Sequence, residues 1–390
     1  MHLRGILPAL TSVALCTVLA GCSTPIAVRP ASATADAAPD RTVPEDPAAA
    51  VDAALAALDR RAEVAQLFVA GVALDDLGDA EALVAQGVGG VFLAGRSAAP
   101  ATELAATTAR WQQHAPGPGL WIAVDQEGGA VQTLKGEGFE RLPAAAEQGA
   151  LPAGRLAGLA DGLGRELSSA GVNLNLAPVA DVVPAGTEEG NEPIGAFGRQ
   201  YAGTGPEVAE DAAAVADGLA AHGVVPTFKH FPGLGLVQGN TDTRAGVVDP
   251  VTDADGEQVT AFAEALARTS ADGFVMTSSA TYPRIDPENQ AAFSRTVVTD
   301  LLRDRLGFDG VVVSDDLANA TAVQGIPVGE RATRFLAAGG TLVLSCDGDL
   351  VPEMVEAVLA RAEADPGFAD VVDAAVRTAL TAKAEAGLLG

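Results

Sequence analysis

Val224-Val225-Pro226-Thr227-Phe228-Lys229-His230-Phe231-Pro232-Gly233 is the stretch from which the fold can be read. A short apolar, β-branched run after His222-Gly223 has the signature of a buried strand. It runs out into a Lys-His pair and a Gly-rich loop that reaches Asn240-Thr241-Asp242. Lys229 is one of three lysines and His230 one of four histidines in 390 residues. A lysine at the end of a buried strand needs a partner, so this stretch reads as a site rather than as core.

The same unit recurs on both sides. Candidate strands occupy 66–72, 90–94, 120–124, 174–178, 224–228, 273–277, 310–314 and 341–345. Between them lie Ala/Leu segments of helical period at 101–113, 154–170, 206–221, 256–268, 296–306, 328–338 and 351–364, with a closing helix at 368–386. Several stop at Gly, as at Leu306-Gly307, the usual C-terminal signal. Eight strands alternating with helices predict a parallel sheet. The length of the segment from 49 to 390 favours a single (β/α)8 TIM-type barrel, an α/β fold, over an open doubly wound sheet.

Hydrophobic residues make up 48% of the chain and aromatics 4%, so a core built mainly from Ala, Val and Leu is expected. The formal net charge of −27 repels nucleic acid and anionic lipid and argues against both as electrostatic partners. No Walker loop, GxGxxG after a strand, GxSxG elbow or zinc-spaced Cys/His cluster is present. Nothing implies a metal or organic cofactor, and a monomer is the expectation.

Residues 1–21 read as an export signal. Arg4 supplies the positive start, and the apolar run from Ile6 to Leu19 is too short for a convincing membrane span. The run ends Leu19-Ala20-Gly21-Cys22, which resembles a lipobox. That resemblance implies diacylation of the Cys22 thiol and anchoring at the extracytoplasmic face of the cell membrane, stable because several acyl chains share the task. Residues 22–48, rich in Ala and Pro without apolar periodicity, read as a flexible tether. After cleavage Cys346 is the one cysteine besides Cys22, so no internal disulfide is expected.

In a (β/α)8 barrel the C-terminal strand ends converge on one face, where active sites lie. Here those ends carry Asp125, Asp181, Lys229 with His230, Ser278 with Ser279, Asp315 with Asp316, and Cys346 with Asp347. Asp315 follows the largely apolar run Gly310-Val311-Val312-Val313-Ser314, which places a carboxylate at the mouth on a rigid element. Asp316 suits a capping role. Asp242, in Gly239-Asn240-Thr241-Asp242-Thr243, reads equally as a turn residue and as a functional carboxylate. Two carboxylates on one face suit glycoside hydrolysis, one protonating the leaving oxygen and the other attacking the sugar or activating water. His222 reads as a helix C-terminal cap and His114 as a surface residue.

Together these residues resemble the N-terminal barrel of glycoside hydrolase family 3, in its bacterial β-N-acetylglucosaminidase branch, from about residue 60 to about residue 350. Val124-Asp125-Gln126-Glu127-Gly128-Gly129 resembles the family's substrate-binding motif and implies that Asp125 binds sugar hydroxyls. Asn175-Leu176-Ala177-Pro178-Val179-Ala180-Asp181-Val182 resembles the fourth-strand motif. Lys229-His230-Phe231-Pro232-Gly233 resembles the most diagnostic motif and makes Lys229 and His230 sugar-binding residues. Val275-Met276-Thr277 with Tyr282-Pro283 and Ile285-Asp286-Pro287 resembles the sixth-strand motif. Val313-Ser314-Asp315-Asp316-Leu317 resembles the nucleophile motif, with Asp315 in that role and a covalent glycosyl-enzyme implied.

The chain also departs from that pattern. The branch's Asp-Ser-His in the mobile loop falls on Asn240, Thr241 and Asp242, so the acid/base histidine is replaced by Asp242. The histidine of the -PGHG- form is Leu234. The arginine expected after the Glu-Gly-Gly motif falls at Thr133, and Arg199 is the nearest candidate for a second sugar-binding arginine. Two readings follow. Either Asp242 is a carboxylic acid/base in a working glycosidase of β-linked N-acetylhexosamine, or the site has decayed and binds glycans without cleaving them.

Overall fold

The computed structural model describes residue 44, residues 46–78 and residues 80–389. The export signal at 1–21, the lipidation candidate Cys22 and nearly all of the tether lie outside the described residues. The first helix, Pro47–Ala57, starts just ahead of the boundary read at 49. Asp46 caps it by accepting from the Ala49 amide, and Pro47 occupies the first turn, where a missing N–H costs nothing. No helix among the described residues is long and apolar enough to cross a membrane.

The eight anticipated strands form one parallel sheet. They are β1 (Phe68–Ala73), β2 (Gly90–Ala94), β3 (Trp121–Val124), β4 (Leu174–Asn175), β5 (Val225–Phe231), β6 (Phe274–Thr277), β7 (Val312–Ser314) and β8 (Val343–Ser345). Each neighbours the next in sequence, and β1 pairs with β8 through Phe68↔Val343, Val69↔Leu344 and Ala70↔Ser345. The remaining seam, β7 to β8, is closed by one bridge, Val313↔Leu342, with the Ser314 amide donating to Leu342 O at 2.9 Å. The sheet is thus a (β/α)8 barrel. At the β1–β8 seam Gly71 has no room for a side chain: a Cβ there would lie 2.3 Å from the Cys346 carbonyl oxygen.

Most strands are shorter than the apolar runs predict, because the residues before them feed the preceding loop. One is longer. β5 continues to Phe231, so Lys229 and His230 lie inside the strand rather than after it, held by pairing of Lys229 with Met276 and Phe231 with Thr277. The segment 296–306, read as an ordinary helix, is a π-helix over Thr296–Arg305, a widened turn rare outside local bulges.

The core is built mainly from Ala, Val and Leu, as expected, with a small aromatic set inside it. Trp111, Trp121, Phe68, Phe228, Phe231, Phe262 and Phe335 are all fully buried. Trp121 meets Phe274 edge-on at 5.2 Å, and Phe231 meets Phe262 at 5.4 Å, the favoured geometry for aromatic pairs. Most of the few aromatics are buried, with Phe197 the exposed exception among the described residues. His222 does not merely end its helix. Its Nε2 lies 2.7 Å from Asp161 Oδ1 on the neighbouring helix. His114 is exposed, as expected.

Candidate active site

The C-terminal strand ends open into a cavity of about 410 Å³, lined by Asp125, Thr133, Arg199, Lys229, His230, Asp242, Asp315, Asp316 and Cys346 among others. A larger cavity of about 570 Å³ lies at the opposite ends of β6 and β7, against Gly273, Phe274, Gly310 and Val311. It gathers none of the strand-end candidates, so size does not decide between the two; chemistry does.

The floor of the site is an ion network. Lys229 Nζ lies 2.6 Å from Asp125 Oδ1 and 2.6 Å from Glu127 Oε1. Arg199 grips Glu127 with both prongs, Nε to Oε2 at 2.9 Å and Nη2 to Oε1 at 2.8 Å, while Nη1 donates to Pro193 O. Burial alone would raise the Glu127 carboxyl, but Arg199 and Lys229 outweigh it and hold the group well below the usual carboxylate range. Burial likewise works against the charges on Lys229 and Arg199. Asp125 with Glu127 keeps the lysine's pKa up, and Glu127 above all keeps the arginine's up. Charges this deep persist only as a mutually satisfied set.

Glu127 is the residue that sequence reasoning missed. It sits inside the quoted motif but received no role. The available signal was a carboxylate in an otherwise turn-like Gln-Glu-Gly-Gly stretch with only buried cations nearby in space. Gly128 explains part of that stretch, since φ is 110° and a Cβ would lie 2.2 Å from Pro143 O. Arg199, read as a sugar-binding residue, does line the cavity, but most of its donors are committed to Glu127 and Pro193.

His230 is oriented from behind. Asp181, fully buried, lies with Oδ2 2.8 Å from His230 Nδ1, while Oδ1 accepts from the His230 and Leu234 amides. An Nδ1–H donated to that carboxylate leaves Nε2 as the working face. Asp181 was noted as a strand-end residue without a role; this is the role. Tyr282 Oη donates to Gly233 O at 2.9 Å and fixes the turn after the strand. The peptide bond joining Lys229 to His230 is cis.

The two carboxylates of the mouth differ. Asp315 is half-buried at the tip of β7, its amide tied to Thr277 O and its Oδ1 accepting from the Asp316 amide. Burial pushes its carboxyl up to about 6; His230 opposes this and the like charge of Asp242 adds to it. Asp316, expected to cap a helix, caps none: no helix starts at that point, and its carboxyl instead ties the loop together by accepting from the Ala318, Asn319 and Cys346 amides. Asp242 is exposed, and among the described contacts its carboxyl takes no hydrogen bond. The Asx turn belongs to Asn240, whose Oδ1 accepts from the Asp242 amide at 2.9 Å. Asp242's carbonyl accepts from both the amide and hydroxyl of Thr321, and the Ala322 amide donates to Thr241 O. The turn reading is therefore satisfied by a neighbour, and the Asp242 carboxyl is left to face the cavity.

A fixed carboxylate on β7, a free one on the β5 loop and a cationic floor between them make a site for splitting an acetal. The model of the glycosyl hydrolase family 3 N-terminal domain matches residues 60–381. The chain belongs to glycosyl hydrolase family 3. A β-hexosaminidase of Xanthomonas campestris pv. campestris is 36% identical over 282 residues, covering 70% of this chain and 82% of that protein. The solved β-N-acetylhexosaminidase of Beutenbergia cavernae is 47% identical, with a TM-score of 0.81 over 84% of this chain and 98% of the other. A family 3 glycosyl hydrolase of Mycobacterium smegmatis is 30% identical, with a TM-score of 0.72 over 84% and 98%.

In this family 3 barrel the Glu127 network makes a direct test possible. Glu127→Gln leaves Arg199 without its carboxylate and Lys229 with Asp125 alone. Removing one member of a buried ion set costs about 3–5 kcal/mol, and denaturant unfolding at neutral pH is expected to show a loss of that order.

Proposed function

We propose that this chain is a retaining glycosidase acting on β-linked N-acetylhexosamine in glycans such as cell-wall fragments, with Asp315 as nucleophile and Asp242 as acid/base. The observation that carries the assignment is the pairing of a rigid, partly desolvated carboxylate at 315 with an unclaimed carboxyl at 242 across one cavity. Asp125, Lys229 and His230 bind the glycone. The names of the relatives support the hexosamine; the ion network supports a polyhydroxylated ligand, because its outward-facing oxygens and N–H groups are already oriented.

Asp242, protonated, gives its proton to the glycosidic oxygen while an Asp315 oxygen attacks C1 and the aglycone leaves. The product is a glycosyl ester on Asp315. Esterification removes the Asp315 charge, and the Asp242 carboxylate then takes a proton from water as that water attacks C1. The C1–Asp315 bond breaks, the sugar leaves with retained configuration, and both groups return to their starting states. Lys229 and His230 bind sugar hydroxyls and hold the glycone against Asp315 as the bond breaks. Asp181 acts through His230 as a positioning residue.

Export and anchoring through Cys22 belong to the same proposal. They rest on the signal-like residues 1–21 and the Leu-Ala-Gly-Cys end, and they place the barrel where cell-wall glycan is found.

Three outcomes are expected. Asp315→Asn abolishes hydrolysis of aryl β-N-acetylglucosaminides, and Asp242→Ala loses about 10²–10⁴-fold with poor leaving groups but is rescued by azide or by dinitrophenyl glycosides. Full activity in Asp242→Asn would remove it as the acid, and wild-type protein that binds glycans without turning any over would establish the non-catalytic alternative. The second outcome is a pH effect. As pH falls through about 6, Asp315 takes a proton and ceases to be a nucleophile, so kcat/KM falls on the acid side with that midpoint. Asp242→Asn deletes a like charge and moves the limb to lower pH, measured with a dinitrophenyl glycoside. Third, labelled palmitate is incorporated by cells expressing the wild-type chain and not by those expressing Cys22→Ser.

A further inference from the structure

The cationic groups of the floor, Lys229 and Arg199, are consumed by Asp125 and Glu127. One cavity-lining cation is not. Arg96 leaves β2 through Gly95 and lines the same cavity. Its Nη1 donates to Gly95 O at 2.8 Å and its Nη2 to Ala130 O at 3.1 Å. Among the described residues no carboxylate pairs with it. Two backbone carbonyls therefore hold the guanidinium in place and leave its remaining N–H donors uncommitted.

Its position is set by a second strand-like pairing. Ser97 bridges Leu134 in parallel. The Ser97 amide donates to Thr133 O at 2.9 Å and the Lys135 amide to Ser97 O at 2.9 Å. This register lays Arg96 beside Thr133. Thr133 itself offers the cavity little, because its hydroxyl is turned onto the Asp125 carbonyl at 2.8 Å. A long donor from the adjacent segment thus stands where position 133 has only a short side chain with a spent hydroxyl.

We propose that Arg96 is a glycone-binding residue that donates hydrogen bonds to sugar hydroxyl oxygens and so helps set which sugar is accepted. A guanidinium keeps its charge at every working pH and presents donors in a fixed fork. Two of those donors on carbonyls pre-order the rest, which lowers the entropy lost on binding. The assignment rests on the glycosidase reading only for the class of ligand.

The test is a ligand cycle that does not depend on turnover. N-acetylglucosamine and its 3-, 4- and 6-deoxy analogues are titrated by NMR into wild type, Arg96→Ala and Arg96→Lys. Arg96→Ala is expected to bind the parent sugar about tenfold more weakly or worse, the usual effect of losing a charged hydrogen bond, with Arg96→Lys between. One deoxy analogue is expected to bind wild type poorly and to lose that disadvantage in Arg96→Ala. A loop loosened by the substitution would weaken all four sugars alike and leave the deoxy penalties unchanged, and that result overturns the proposal. Equal affinity of wild type and Arg96→Ala for the parent sugar also overturns it. If the wild type still hydrolyses aryl glycosides, the glycosidase reading survives that failure. Wild type that neither binds nor hydrolyses overturns both.

Discussion

A carboxylate clasped between two buried cations organises this molecule's working face. Glu127 takes Arg199 on one side and Lys229 on the other, and Lys229 in turn takes Asp125. The four residues come from three different parts of the chain: the β3 exit, the long loop after β4, and β5. None of them could stay charged at that depth alone. Their mutual neutralisation lets a barrel with a strongly acidic surface keep positive charge at the centre of its mouth. It also ties the β3 exit and the loop after β4 to strand β5, so that Asp125 and the β5 residues are presented on one platform.

The two carboxylates proposed for the chemistry, Asp315 and Asp242, lie outside this set. Asp315 has no cation within its hydrogen-bonding reach and is raised by burial and by Asp242, with His230 and the Asp316 amide as counterweights. Asp125 and Glu127 are locked by cationic partners, whereas Asp315 has none. A single cavity thus holds two electrostatically different kinds of carboxylate. Perturbed carboxyl groups in a cleft are expected at functional sites, and here the perturbation comes first from burial, with the like charge at 242 adding to it.

The barrel was legible in the chain because the strands fall in short apolar runs, six of them ending in polar residues, and the parallel pattern leaves few alternatives. Asp315, Lys229, His230 and Asp125 were legible for the same reason: they stand at the ends of such runs. What escaped was long-range pairing. Glu127 acquires its role only because Arg199, 72 residues away, folds over it, and Asp181 only because it meets His230, 49 residues on. The extension of β5 through Phe231 was hidden by Pro232 and the Lys-His pair, which read as loop; pairing with β6 overrides that local signal. The π-helix at 296–305 carries no periodicity that distinguishes it from an ordinary helix.

The pins from Thr321 and Ala322 to the Asp242 loop have one more consequence. They join the segment that follows Asp315 to the segment that carries Asp242 through three hydrogen bonds to the carbonyls of Asp242 and Thr241. A displacement of the Asp242 loop has to break all three. The two mouth carboxylates therefore stand on segments tied directly to each other, and the distance between them is set by hydrogen bonds to the backbone rather than by side-chain packing alone.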